Sequence, residues 1–300
     1  MDLRQLEYFQ MTGRLKSISK AAEQLRVAQP SVSIAIQKLE EELGIRLFDR
    51  SQRQIQLTAE GLIFAQRVND ILTRVSDSVT EMKDLRLLQK GSIKIGIPPM
   101  IGAFLFPHIF SQFRKQYPFL ELSAIEGGSL TMQKLIEQGK LDIGIITRSP
   151  GASSLELLPI TTGQLLVCLP LDHPLTALPQ IPFERLRDQP FILLKEDTFI
   201  RQIILAECDK YTFKPQIIFS SSQIETLIGL VEQGIGISFL FDAITHKHPT
   251  IESRPLLQPI SHEIVLAWNP NRYLSNAARA FIEFMTGSFQ SSPLSGSQQP

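Results

Sequence analysis

The sequence predicts an α/β protein in which a small helical region, one long helix and a larger α/β region follow one another. Three observations carry this prediction. Residues 18–37 read as two short helices joined by a tight turn, residues 59–89 repeat apolar positions at steps of three and four, and strands alternate with helices from residue 91 onward. The 300 residues suit about two domains, and 43% hydrophobic residues are enough for real cores.

The first region has the pattern of a helix-turn-helix. Ala21, Ala22 and Leu25 form the inner face of its first helix, which Ser17 or Ser19 caps. Arg26 stands where a turn glycine often occurs, Val27 anchors the turn, and Pro30 suits the first turn of the next helix. The apolar residues of that second helix face inward: Val32, Ala35, Ile36 and Leu39.

The polar face of the second helix predicts contact with the DNA major groove. Glutamine can read adenine, and serine can bond a base edge or a phosphate. The candidate DNA-binding residues of this helix are Gln29, Pro30, Ser31, Ser33, Gln37 and Lys38. Strands at Ile45–Phe48 and Ile55–Leu57 then predict a wing whose tip carries Arg50 and Arg53, for phosphate or minor-groove contact. The alternative is a solvated helix face.

The charge of the chain argues against strong nonspecific DNA binding. The net charge is zero, and residues 1–60 hold nine basic against eight acidic side chains. Three of those acids are Glu40, Glu41 and Glu42, at the end of the second helix away from its polar tip. Modest affinity per copy predicts a need for more than one DNA-binding head.

The long helix predicts self-association. Its apolar positions average close to the coiled-coil period: Leu62, Ala65, Val68, Leu72, Val75, Val79, Met82 and Leu85. About 32 residues at ~1.5 Å each would span ~48 Å, which is too long for a small domain to cover. A dimerising helix is favoured, and a helix packed on its own domain is the alternative.

The third region has a βαβαβ order that predicts a parallel sheet with helices on both faces. The predicted strands are 93–97, 120–125, 141–146, 165–169, 191–194, 216–219, 235–239 and 264–268, and the helices are 104–117, 129–138, 199–210, 223–233 and 274–286. Residues 90–92 form a short hinge, and the polar tail at 289–300 is expected to be disordered.

Several motifs together resemble the N-terminal signature of LysR-type transcriptional regulators. They are Ala21-Ala-Glu-Gln-Leu25, Gln29-Pro-Ser-Val-Ser33, Leu39-Glu-Glu-Glu-Leu-Gly44, Leu47-Phe-Asp-Arg50 and Leu57-Thr-Ala-Glu-Gly61. Weaker marks lie at residues 135–144, 173–174 and 230–236. One departure is Ile34, where many members of that family carry a basic residue that contacts DNA.

The resemblance implies a winged helix-turn-helix at 1–58, a dimerising linker helix at 59–89 and an effector-binding domain at 91–287. That domain would resemble periplasmic solute-binding proteins, with subdomain I at about 91–161 and 269–287 and subdomain II at about 162–268. The implied function is sequence-specific transcriptional regulation of promoter DNA by a homotetramer that responds to a small-molecule metabolite. RNA polymerase is a further candidate partner.

The effector is expected between the subdomains, where strands end and helices begin. The candidate residues are Pro99, Met100, Ile101, Gly128, Ser129, Thr131, Thr147, Arg148, Thr198 and Phe199. Ser129 and Thr131 would bind a carboxylate or phosphate, and Arg148 would add charge. The alternatives are plain helix capping for Ser129 and a surface position for Arg148.

Other classes of protein find little support in the sequence. A solute-binding protein would have a signal peptide and would lack the N-terminal head. An enzyme would show a nucleophile elbow, a metal-spaced set or a phosphate loop, whereas the five histidines are scattered and Cys168 and Cys208 form neither a framework nor a metal site. Cys208 leaves a redox role open. We therefore expect no catalytic residue, no metal, no cofactor and no membrane contact, and a cytoplasmic location.

Overall fold

The structure is a computed structural model that describes residues 1–50, 55–86 and 91–290. These residues form two compact units, Met1–Lys83 and Asp84–Pro300. The predicted combination of a helix-turn-helix head and a C-terminal α/β region is confirmed.

The head, as we call the first unit, begins with three helices: α1 (Leu3–Leu15), α2 (Ile18–Leu25) and α3 (Gln29–Leu43). Ser17, rather than Ser19, caps α2, because its hydroxyl accepts a hydrogen bond from the Lys20 amide. The first turn of α3 contains proline, as predicted.

The turn between α2 and α3 is made without glycine. Arg26 adopts the left-handed conformation with φ of 55°, and its amide donates to the Ala22 and Glu23 carbonyls that end α2. The same role at the end of α3 is filled by Gly44, with φ of 69°. The left-handed backbone conformation is mildly unfavourable for a residue with a Cβ atom. The packing of the two helices therefore holds Arg26 in this conformation.

The wing is a short antiparallel pair, β1 (Phe48–Asp49) and β2 (Gln56–Leu57). Both strands are shorter than the pattern predicted. Arg53, expected at the wing tip, lies outside the described residues.

The long helix α4 runs from Ala59 to Arg86, which is 28 residues. Its first turn packs closely against Leu47, the residue that precedes β1. A Cβ atom on Gly61 would lie 2.1 Å from the Leu47 carbonyl oxygen, so this position requires glycine. The ring of Phe9 packs at 5.2 Å from Phe48 and 5.1 Å from Phe64, which ties the helices, wing and α4 into one core.

The second unit is built on a mixed sheet and a separate pair of parallel strands. Its strands are β3 (Ser92–Ile97), β4 (Glu121–Glu126), β5 (Ile143–Thr147), β6 (Glu156–Leu169), β7 (Pro190–Leu194), β8 (Gln216–Ser221), β9 (Ser238–Phe241), β10 (Glu252–Pro255) and β11 (Ser261–Trp268). Strands β3, β4 and β5 are parallel, as predicted, whereas β6 and β11 run antiparallel to their neighbours. The parallel arrangement predicted from the βαβαβ segment therefore holds for β3, β4 and β5, whereas the antiparallel direction of the strands that extend their sheet was not predicted; β7 and β8 form the separate parallel pair.

Strand β6 belongs to two lobes at once. Residues 156–164 pair with β11, while 165–169 pair with β9 and β10. We call the part built on β3, β4, β5, β11 and the start of β6 the first lobe, and the part built on the end of β6 with β7 to β10 the second lobe. The pattern had predicted only the second half of this strand.

The pairing of β11 changes the proposed lobe boundaries. We had assigned residues 264–268 to the second subdomain, but β11 lies between β5 and β6 in the sheet of the first. We therefore propose that the first lobe comprises residues 91–164 and 261–290, and the second lobe 165–260.

Helices cover the strands in both lobes. They are α5 (Pro99–Phe104), α6 (Phe106–Gln116), α7 (Ser129–Glu137), α8 (Phe199–Lys210), α9 (Ile224–Glu232), α10 (Asp242–Thr245) and α11 (Asn276–Gln290). The helix predicted at 104–117 corresponds to α6, whereas α5, which meets α6 at Leu105, was not predicted. Strand β10 and helix α10 were not predicted.

Candidate DNA-binding surface and ligand pockets

The outer face of α3 is exposed along its length. Val32, Ile36 and Leu39 are fully buried, so the opposite face points away from the head core. Eight residues of α3 are exposed: Gln29, Pro30, Ser31, Ile34, Gln37, Lys38, Glu41 and Glu42. Ser33 is half-buried, and the side chain of Gln37 donates to Glu41 at 2.9 Å. This face therefore presents polar, charged and apolar side chains to solvent.

Glu40 anchors the wing to α3. One of its carboxylate oxygens accepts from the Leu47 and Phe48 amides at 2.8 and 3.1 Å, and the other accepts from Arg50 at 3.1 Å. Part of the acidic cluster that weakened the electrostatic case for DNA binding is therefore structural. The Arg50 side chain stays 44% exposed, which leaves part of its guanidinium accessible to a phosphate.

The predicted apolar stripe of α4 divides into two sets. Val68 is fully buried in the head core, and Ala65 and Leu72 pack against it. Six large apolar side chains of α4 are exposed: Leu62, Ile63, Ile71, Val75, Val79 and Met82. The side chain of Leu85 lies outside the described residues. The alternative of a helix packed on its own domain therefore holds for part of one face, and an exposed apolar surface is left beyond it.

A pocket of about 810 Å³ lies between the two lobes, and we call it the cleft pocket. Its walls are the segments that follow β3, β4, β7 and β8, which are four carboxyl ends of parallel strands, two from each lobe. The first lobe contributes Pro98, Pro99, Gly102, Ala103, Glu126, Gly127 and Gly128, and the second Lys195, Asp197, Thr198, Ser222, Gln223, Ile224 and Glu225. This is where an open α/β sheet places its ligand.

Asp197 of the second lobe is bonded to the start of α7 in the first. Its carboxylate accepts from the Gly128 amide at 2.8 Å and from the Thr131 hydroxyl at 3.0 Å, and its carbonyl accepts from the Leu130 amide at 3.1 Å. In return, the Ser129 hydroxyl oxygen accepts from the Phe199 amide at 3.0 Å, at the start of α8. Each lobe therefore caps a helix of the other. We call this set of contacts the interlobe latch.

A second pocket of about 660 Å³ lies at the carboxyl end of β5, and we call it the side pocket. Thr147, Arg148 and Phe199 line it together with His262 and Glu263. Arg148 pairs with Glu263 at 2.8 Å, so its charge is already balanced.

The ten predicted effector residues fall into four places. Pro99, Gly128 and Thr198 line the cleft pocket; Thr147, Arg148 and Phe199 line the side pocket; Ser129 and Thr131 belong to the latch; Met100 and Ile101 are buried in the core. Ser129 does cap a helix, but the helix lies in the opposite lobe. We leave Met100 and Ile101 out of the proposed site, since neither side chain lines either pocket.

Sequence reasoning missed the charged groups of the cleft pocket. Glu126 ends β4, Lys195 and Asp197 follow β7, and Glu225 opens α9. The rule that ligands bind at the carboxyl ends of strands would have selected Lys195 and Asp197, which directly follow the strand predicted at 191–194.

Both cysteines are buried, and burial raises the pKa of each thiol to about 12. A reactive thiol needs an accessible, readily ionised sulfur, so Cys208 is unsuited to redox sensing in this conformation. Within the described residues, no cluster of side chains could hold a metal ion, and no helix has the length and apolarity to cross a membrane.

His262 is a buried histidine in the wall of the side pocket. Its ring stacks on Phe241 at 3.7 Å between centroids, and among the described residues its Nδ1 atom has no hydrogen-bond partner. Burial lowers the pKa of this imidazole from 6.5 to about 4, while the charge of Asp242 opposes the shift. The neutral ring is therefore the form that the fold favours.

We predict an acid-sensitive stability that depends on His262. Because its pKa is lower in the folded chain, the unfolded chain takes up the proton first, and stability falls as the pH drops from about 6.5 toward about 4. Between pH 7 and pH 5 the wild type should lose about 2 kcal/mol from this group. Chemical denaturation of wild type and His262→Gln at both pH values measures it. The exposed His246→Gln should lose as much as wild type, and an equal loss in His262→Gln would contradict the assignment.

The comparisons with known proteins agree with this geometry. The family model described as the bacterial regulatory helix-turn-helix protein of the lysR family matches residues 3–62, and the LysR substrate binding domain matches residues 87–290. The HTH-type regulator YwbI of Bacillus subtilis is 35% identical over 94% of this chain and 95% of its own length.

Two further proteins extend the likeness. A probable RuBisCO transcriptional regulator of Nostoc sp. is 32% identical over 88% of this chain and 82% of its own length. The structure of full-length OxyR from Pseudomonas aeruginosa has 27% identity and a TM-score of 0.63, with 100% of this chain and 99% of that chain covered. Because the two family models together span the head and both lobes, the chain belongs to the LysR family of transcriptional regulators, which are DNA-binding proteins and not enzymes.

Proposed function

We propose that this regulator binds promoter DNA through α3 and the wing, and that a small metabolite in the cleft pocket controls the binding. The observation that carries the proposal is the position of that pocket, whose walls are two strand ends from each lobe. A ligand there touches both lobes and therefore binds one arrangement of them better than another. Such a difference in affinity is what ligand control of a conformation requires.

The interlobe latch sets the resting arrangement in this proposal. The Asp197 carboxylate occupies the start of α7, which is the position where we expected a carboxylate or phosphate of the effector. An effector would either pack beside the latched lobes and stabilise them, or compete for the Gly128 amide and separate them.

The charges of the cleft pocket favour one class of effector. Glu126, Asp197 and Glu225 contribute three carboxylates, against the single ammonium of Lys195. A polar metabolite with hydroxyl or amino donors suits these walls better than a dianion does, since a dianion would meet like charge.

The oligomer that we propose is built on helix α4. Its exposed apolar side chains provide a seam for the α4 helix of a second copy. We propose that two such dimers form a homotetramer that places several heads on one promoter, with RNA polymerase as the partner in activation. A protein that acts on promoter DNA in this way works in the cytoplasm.

We predict that the purified protein binds the DNA just upstream of its own gene. Gel shift and footprinting at low salt should give a protected region. Lys38→Ala should bind more weakly and lower the salt slope by about 1, because one phosphate contact is lost. The control Lys115→Ala, on α6 in the second unit, should leave the slope unchanged. Absence of binding to every such fragment would overturn the proposed function.

We predict that Val79→Glu prevents dimer formation. This side chain is 48% exposed on α4, and a carboxylate buried in an apolar seam would lack a partner. Light scattering coupled to gel filtration should show a monomer. The control Ser78→Glu places the same charge on the preceding residue, about 100° around the helix from Val79. This variant should keep the wild-type mass. A wild-type mass for Val79→Glu would rule out this seam.

We predict that Asp197→Ala loosens the lobes. The variant removes two hydrogen bonds to a carboxylate, which should lower the free energy of unfolding by about 2 kcal/mol. Spin labels at Lys115→Cys and Lys210→Cys, one in each lobe, should report a broader distance distribution; the native thiols are buried and will label poorly. The neighbouring Glu196→Ala, a side chain 90% exposed, is the matched control. Indistinguishable distributions in the two variants would refute the latch.

A further inference from the structure

We infer that Ile34 reads the C5 methyl group of a thymine in the promoter. The inference rests on the proposed function, in which α3 enters the major groove, and it deepens that function by naming a residue that selects a base. The position attracts attention because a large apolar side chain, 53% exposed, interrupts a polar helix face.

The geometry of α3 places Ile34 at the centre of the outward face. At about 100° per residue, position 34 lies nearly opposite the buried Val32, Ile36 and Leu39. The residues one turn away on the same face are Pro30, Ser31, Gln37 and Lys38, and all four are exposed. A helix laid in the groove with this face down brings Ile34 against the base edges, with Lys38 one turn farther along.

The chemistry of the groove selects the base. Of the groups that base pairs present in the major groove, the thymine methyl is apolar, while the others are hydrogen-bond donors or acceptors. An isoleucine beside guanine or adenine acceptors would displace water and offer no donor, which is costly. Beside thymine it buries two apolar surfaces, and its branched side chain loses little rotamer freedom in doing so.

The neighbouring side chains agree with this role. Gln37 already donates to Glu41, so its amide is partly engaged, whereas Ile34 is 53% exposed. A single exposed isoleucine is common on protein surfaces and by itself indicates nothing. Its place among the groove-facing residues makes base contact the favoured interpretation over contact with another protein, which the experiment treats as the contrary outcome.

Replacement of thymine by uracil provides the test, because it removes the methyl group and keeps every hydrogen-bonding atom of the base. In the footprinted promoter fragment, each thymine is replaced singly and the dissociation constant is measured for wild type and Ile34→Ala. At one position in each half-site, uracil should weaken wild-type binding about fourfold, the value for one buried methyl group.

Ile34→Ala should bind the thymine fragment more weakly and should no longer distinguish thymine from uracil at that position. Ile45→Ala removes a comparably exposed isoleucine, 42% exposed and beyond the end of α3, and should keep the discrimination.

Thermal melting of both variants checks that the head is folded. If Ile34→Ala does not fold, Ile34→Val replaces it and should partly weaken the discrimination between thymine and uracil. Uracil tolerated at every position by wild type, or equally harmful to Ile34→Ala, overturns the inference while promoter binding itself stands. No promoter binding at all overturns the proposed function instead.

Discussion

The residue that precedes helix α7 is Gly128, which has no side chain to cap the first turn, and Asp197 from the opposite lobe supplies the acceptors. Unpaired amides at a buried helix start are costly, and a carboxylate there is favoured by both hydrogen bonding and the helix dipole. Ser129 accepts from the first amide of α8 in exchange. The beginnings of two helices, one per lobe, are therefore completed only when the lobes meet.

Because strand β6 is shared by the two lobes, the interlobe latch depends on the angle between them. Its first part is paired within the first lobe and its second part within the second, with the change near Gln164 and Leu165. A strand that is continuous through both sheets holds the lobes together at one side. We propose that lobe movement is a rotation about that side, which would open or close the opposite edge. Because the latch and the cleft pocket lie between the lobes, a ligand in the pocket would act on the rotation that the latch restrains.

The elements that depend on local apolar spacing and helix capping were predicted from the sequence. The helices of the head, the proline in the first turn of α3 and most strands follow from apolar spacing and capping, and the structure confirms them. The first half of β6 was missed because Pro159 and Gly163 read as breaks; Pro159 is tolerated where the pairing with β11 shifts register, between Ile264 and Val265.

The latch was missed for a different reason. Gly128 and Asp197 are 69 residues apart, and no local pattern pairs a helix start with a distant carboxylate. Six of the expected effector residues line the two pockets, and their role in binding a ligand stays a prediction; the local patterns did not select the charged side chains of the cleft pocket.

The low net charge of the head bears on how it would bind DNA. Glu40 pairs with Arg50 and holds the wing, and residues 1–60 hold nine basic against eight acidic side chains. In the proposed function, the affinity of a single head for DNA of arbitrary sequence is therefore modest, and contacts to base edges, including the proposed contact of Ile34, add to it. Linking such heads through α4 multiplies their effective concentration only if their spacing matches the promoter. We propose that a change of lobe angle alters this spacing and so changes promoter occupancy, an effect that strong nonspecific affinity of each head would weaken.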